Sequence, residues 1–270
     1  LEGKITKINL SNSTKNGASL YEQTTLFKLN STSDNGRYSY FSLDASIGKD
    51  SKAFWLFGGT GNFQRVNDVE GAADNILYGI KDPDFPYFKS NIKIPRQDTD
   101  GWKTSAVDNI NAAHDVDDPN ICIDTTSDVV GDLCPKASDD GWVFHLDDLA
   151  NNKYRKLTGS PRVFKGRVYF PIYKPPDGGN RCALGAAYIC SADDECGTNQ
   201  SAELYAAEET VADEDPCYYV REGILSELVV FGDTLYGNVA GPSDTEDTLV
   251  SILAGSGEVS TFRKSWRQNY

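Results

Sequence analysis

Asp115, Asp117, Asp118, Asn120 and Asp124 crowd into the stretch "HDVDDPNICID". Oxygen-bearing side chains at alternate positions of a loop are what a hard cation such as calcium binds. Asp115 and Asp117 stand at the first and third positions of a D-x-D-x-D-G loop. Pro119 and Asn120 occupy the fifth and sixth, where Asp and Gly are wanted. "DTDGW", with Asp98, Asp100 and Gly101, is a shorter fragment of the same pattern. A calcium site would therefore draw on Asp115, Asp117, Asp118 and Asn120. The competing and simpler reading is a solvated acidic loop.

A second chemical candidate is "FWLFGGTGNFQRVND", in which an apolar run drops into Gly58, Gly59 and Gly61. A phosphate-binding loop needs Gly-Lys-Ser/Thr after its glycines, and Asn62-Phe63 follow here. A dinucleotide fingerprint needs a further glycine and then a helix, and "RVNDVEGAADN" carries no apolar helical stripe. The three glycines are expected instead to form a strand-to-loop corner, where they allow positive φ and close backbone approach.

Nucleophilic catalysis finds no support. There is no G-x-S-x-G elbow. His114 sits in the acidic loop, and His145 lies on an alternating strand as an outward-facing or satisfied residue. Paired carboxylates could hydrolyse glycosides, but acids are too abundant here to single out a pair.

The six cysteines never make the C-x₂₋₄-C spacing of zinc sites, and only two histidines accompany them. Disulfides are expected, and with them an oxidising compartment: periplasm, cell surface or medium. Proximity alone pairs Cys122 with Cys134, Cys190 with Cys196 and Cys182 with Cys217. The 26 basic and 40 acidic residues give a net charge of −14, which repels phosphate backbones and argues against nucleic-acid binding. No apolar stretch is long enough for a membrane span. The chain lacks an initiating Met and opens in mid-strand with "LEGKITKINL", so it is expected to be the later part of a longer secreted polypeptide, or a processed form.

These groups must be positioned by β-structure. Tyr counts 14 and Gly 24, and the glycines punctuate short apolar runs. Strands are expected over Lys4 to Leu10, Arg37 to Leu43, Ala53 to Phe57, Ile76 to Ile80 and Gly141 to Leu146. In "GWVFHL", Trp142, Phe144 and Leu146 share one face, and Val143 and His145 the other. "PRVFKGRVYFPIY" and "SELVVFGDTLYGNVAG" read as hairpins around Lys165-Gly166 and Gly232-Asp233. They are weak copies of one another, and "KAFWLFGGTG" looks like part of a third. "ILYGI", "AELYAA" and "TLVSIL" follow as further strands. A hairpin and then another strand, repeated, is the grammar of a β-propeller blade. A sandwich with long loops is the alternative. Residues 1–270 are thus expected to form all-β, modified propeller structure, with long loops at about 82–140 and 175–216 stapled by the cysteines.

Several of these segments resemble the PilY/PilC family of type IV pilus tip proteins. "WLFGGTGNF" followed by "ILYGIKDP" is similar to that family's "FGTGR(F/Y)…FYGIK(E/D)P". "GWVFHL…KLTGSPRVFKGRVYFPIYKPPDGGNRC", "GILSELVVFGDTLYGNVAG", the closing "SWRQN" and the opening "LEGKITKINL" resemble further family elements in the same order. Gly58 and Asn62 depart from the pattern, which has Phe and Arg there. The resemblance implies a modified β-propeller of a larger secreted protein. It implies docking on minor pilins at the pilus tip, support of pilus assembly, opposition to retraction, and adhesion to host or abiotic surfaces, without catalysis. The family's calcium loop lies upstream of residue 1, so it assigns no ligand here. Two alternatives stand beside it: a quinoprotein-like propeller enzyme, although no two cysteines are adjacent, and a surface subunit of another extracellular filament.

Overall fold

The computed structural model describes residues 3–10, 20–32, 35–67, 74–82, 84–85, 88, 121–123, 141–146, 154–176, 183–195, 197–204, 217–241 and 249–254. Four sheets follow one another along the chain. The first pairs β1 (Lys4–Ile8) with β2 (Gln23–Lys28). The second contains β3 (Asp44–Ile47), β4 (Phe54–Gly59), β5 (Ile76–Asp82), β6 (Ile121–Ile123) and β7 (Gly141–His145), in the order β3-β4-β5-β7-β6. All of its pairings are antiparallel except β6 with β7.

The third sheet comprises β8 (Lys156–Leu157), β9 (Arg162–Phe164), β10 (Arg167–Lys174), β11 (Ala186–Asp193) and β12 (Tyr218–Glu222). β8 and β9 pair with the two ends of β10, and β11 and β12 follow as a meander. The fourth repeats that plan with β13 (Ile224–Leu225) and β14 (Val229–Phe231) on β15 (Thr234–Ala240), and β16 (Leu249–Leu253) beyond. Successive antiparallel meanders of consecutive strands are blade-like units, as in part of a β-propeller. A two-sheet sandwich does not describe them.

Strand periodicity explains the stacking. Side chains alternate between faces, and the middle sheets are covered on both. Along β5 and β7, Leu77, Trp142 and Phe144 enter a core with Trp55, Phe57, Val168, Phe170 and Ile172 of the second and third sheets. Their neighbours Ile76, Tyr78, Ile80 and Val143 point the other way and pack with Leu26, Phe27 and Leu29. Val168, Phe170 and Ile172 of β10 face the second sheet. Tyr169, between them, joins Ala187, Ile189, Leu225, Leu235 and Val239 in a third core with the fourth sheet. Three cores thus join four sheets in chain order. The faces expected for Trp142, Phe144 and Leu146 against Val143 are the ones observed.

The two expected hairpins form with two-residue turns. Lys165 and Gly166 have φ of 54° and 74°, the pair of positive values that a type I′ turn requires. Gly232 has φ of 60°, as the first central position of a type II′ turn does. The turns are bridged by Lys165 Nζ and Asp233 Oδ1 at 2.9 Å. Polar contacts also join sheets. The Val163 amide donates to Asp44 Oδ2 at 2.8 Å, and Thr158 Oγ1 donates to the Leu225 carbonyl at 2.7 Å.

Several expectations are corrected. Arg37 to Leu43 belongs to no sheet, and the strand begins at Asp44, where the polar run "DASI" gives little apolar signal. The start of "AELYAA" is not a strand: Ser201–Leu204 is a 3₁₀ turn, in keeping with its Ala and Glu. β11 lies inside the stretch expected to be a loop at 175–216, and pairs with β10 from Arg167↔Asp193 to Lys174↔Ala186. β6 likewise falls within 82–140. The only disulfide among the described residues joins Cys190 to Cys217, which excludes both Cys190–Cys196 and Cys182–Cys217. Strand pairing of β11 with β12 sets this partner choice, which sequence proximity could not show.

Candidate binding groove

The glycine stretch is not a ligand loop. Gly58 and Gly59 belong to β4, and the corner starts at Thr60. Gly59 does not have positive φ; both residues are required by close packing. A Cβ on Gly58 would lie 2.3 Å from Tyr78 Oη, and one on Gly59 2.7 Å from Leu77 Cδ2. Beyond them the polar groups are already used. The Thr60 amide donates to the Ile76 carbonyl at 2.9 Å, and the Gly61 amide to the Tyr38 carbonyl at 2.8 Å. Thr60 Oγ1 accepts from the Ile76 amide at 2.9 Å. The Thr60 and Gly61 amides are therefore not available to a phosphate. A Cβ on Gly61 would meet the Lys156 Cβ at 2.7 Å, so this glycine also serves backbone approach.

That corner instead holds one wall of a groove of about 750 Å³. The wall is the irregular segment from Arg37 to Leu43. Opposite it lie Lys4, Ile5 and Leu29, at one end of the first sheet. Gly36, with φ of 66°, turns the chain into this segment. Arg37 then fixes it. Its side chain is buried, with Nε donating to the Asp74 carbonyl at 2.7 Å and Nη1 to the Leu29 carbonyl at 3.3 Å. Nη2 forms an ion pair with Asp74 Oδ2. The other Asp74 oxygen lies 2.9 Å from Nδ1 of His145, on β7. Burial works to raise the Asp74 carboxyl; the His145 hydrogen bond and the Arg37 guanidinium outweigh it and hold the group below its usual range. Ser42 and Ser160 share a hydrogen bond at 2.8 Å, tying the far end of the wall to the chain between β8 and β9.

His145 is thus a satisfied residue, one of the two roles expected for it. With Asp74 it makes a His–Asp pair, in which Arg37 takes the second carboxylate oxygen and the three side chains tie the groove wall to β7. Sequence reasoning missed Arg37 and Asp74 altogether. The one signal for the groove was the aromatic run "RYSYF", which alternates as a strand does.

A second polar centre lies in the turn after β11. Glu195 accepts from the Asp50 and Ser51 amides, each at 2.7 Å, clamping the turn between β3 and β4. Burial acts to raise Glu195, and these hydrogen bonds together with Ser51 lower it below its usual range. Burial, with the Asp193 and Glu195 carboxylates beside it, pushes Asp194 up to about 6. No group of three or more metal-ligating side chains occurs among the described residues. Asp115, Asp117, Asp118 and Asn120, the expected calcium ligands, lie outside them, as do Cys134, Cys182 and Cys196. Cys122 is placed on β6.

No family model and no curated protein matches the chain. Among solved structures it is similar to the C-terminal domain of PilY1 from Pseudomonas aeruginosa, at 13% identity and a TM-score of 0.46. The match covers 87% of this chain and 50% of that one, so the chain spans half the length of that structure. The likeness is weak and concerns the fold. Among the described residues, no helix is long and apolar enough to cross a membrane.

Proposed function

We propose that this chain is a non-enzymatic binding part of a type IV pilus tip protein. It would dock on minor pilins, support pilus assembly, oppose retraction and contribute to surface adhesion. The observation that carries the reading is how the family-like segments are distributed. "WLFGGTGNF" and "ILYGIKDP" fall on the paired strands β4 and β5, and "GWVFHL" on β7 beside them. "PRVFKGRVYF" is the β9–β10 hairpin, and "ELVVFGDTLYGNVAG" the β14–β15 hairpin. The two hairpin segments therefore take equivalent places in the third and fourth sheets, and the others lie on neighbouring strands of the second. The Cys190–Cys217 disulfide suits an exported protein. Loops on a rigid β-scaffold suit recognition, because little ordering entropy is left to lose on binding.

The test is removal of the whole protein from the cell that makes it, with no paralogue present. Loss of surface pili, restored when retraction is also disabled, is the expected result. Normal piliation, adhesion and retraction would refute the reading.

A further inference from the structure

We propose that the groove along Tyr38–Ser42 is a carbohydrate-binding site. The inference stands on the groove's own chemistry and does not rest on the pilus reading. At about 750 Å³ the groove is within the size range of ligand sites. Tyr38, Tyr40 and Phe41 line it, and Tyr40 is 44% exposed. An aromatic face matches the C–H face of a pyranose ring, and a phenol adds a hydroxyl at its tip.

The polar lining suits the same class of ligand. Ser31, Ser39 and Ser42 line it with hydroxyls already held by the Arg37 carbonyl, Tyr78 and Ser160, and each can take a further hydrogen bond because a hydroxyl both donates and accepts. Among the described residues, no backbone hydrogen bond is made by Ser39, Tyr40, Phe41 or Ser42. Four consecutive peptide groups therefore face solvent or a ligand, and a polyhydroxylated chain can satisfy donors and acceptors in any order. A β-strand partner is a poorer fit, because the bend at Phe41 breaks the regular ladder that strand addition needs. Among the described residues no carboxylate lines the groove, whereas Lys4 does, which disfavours a cationic ligand. The Arg37–Asp74–His145 network holds the wall in place before any ligand arrives.

The test titrates the full chain with cellohexaose, chitohexaose and hexagalacturonate, read by saturation-transfer NMR and intrinsic fluorescence. At least one sugar is expected to bind. Tyr40→Ala should weaken that binding by about tenfold or more, with Tyr40→Phe retaining it and the melting temperature unchanged in both. Three results would overturn the proposal: no binding of any of the three at about 10 mM, binding that survives Tyr40→Ala, or slowed amide exchange at residues 39–42 caused by an alternating Val–Thr decapeptide and by none of the sugars.

Discussion

Cys190, within β11, is disulfide-bonded to Cys217, the residue before β12, across 27 positions of sequence. Both residues are buried in the core between the second and third sheets. The bond therefore closes the acidic segment between two neighbouring strands and leaves the sheet intact. Cys217→Ser should cost about 2–4 kcal/mol, mainly by freeing the unfolded chain. Denaturant unfolding measures the loss, and peptide mapping of the native protein should recover the Cys190–Cys217 pair.

Gly79 of β5 lies against the Trp142 indole. A Cβ there would be 2.5 Å from Trp142 Nε1 and Cε2. Trp142 cannot retreat easily, because it is buried and its Nε1 donates to the Asp194 carbonyl at 3.2 Å. Gly79→Ala should destabilise by about 1–3 kcal/mol through overpacking. A midpoint shift in urea unfolding with an unchanged slope is the expected signature.

Asp74 holds buried Arg37 and contacts His145, so Asp74→Asn should cost about 1–3 kcal/mol and loosen the groove wall. Its carboxyl lies below its usual value in the fold. The stabilisation is then complete above the unfolded-state pKa near 3.8 and is lost as pH falls through the folded value. The variant should lack this acid-limb loss, which unfolding measured from pH 2 to 5 would reveal.

Asp194 behaves in the opposite sense. Its folded pKa of about 6 exceeds the unfolded-state value near 3.8, so between the two the folded state keeps a proton that the unfolded state has released. Its contribution to stability falls as pH rises through that window and is flat above it. Asp194→Asn should be more stable than the parent at pH 7, by about 1–3 kcal/mol, and equal to it near pH 3. Parallel melting curves at the two pH values check this.

The sheets were legible where the apolar pattern is strong. Gly141 to Leu146 shows both its strand and its two faces, because alternate residues enter different cores. The hairpins at Lys165-Gly166 and Gly232-Asp233 were marked by their turn residues. "DASI" was illegible because β3 is short and polar, and β11 because its apolar run sits among cysteines, Gly and Asp that suggest a loop. Arg37 to Leu43 misled in the other direction: its alternation comes from tyrosines lining a groove, not from a paired strand. Arg37 and Asp74 are 37 residues apart, and only the packing of the first two sheets brings them together. No local motif could announce that contact.

The central claim is tested most directly by locating the protein. The chain, tagged within the full polypeptide of the cell that makes it, should be imaged by immunogold electron microscopy on intact pili. Label concentrated at the free ends of pili is the predicted result. Label spread along the shafts, or over the cell surface with bare pilus ends, would contradict it.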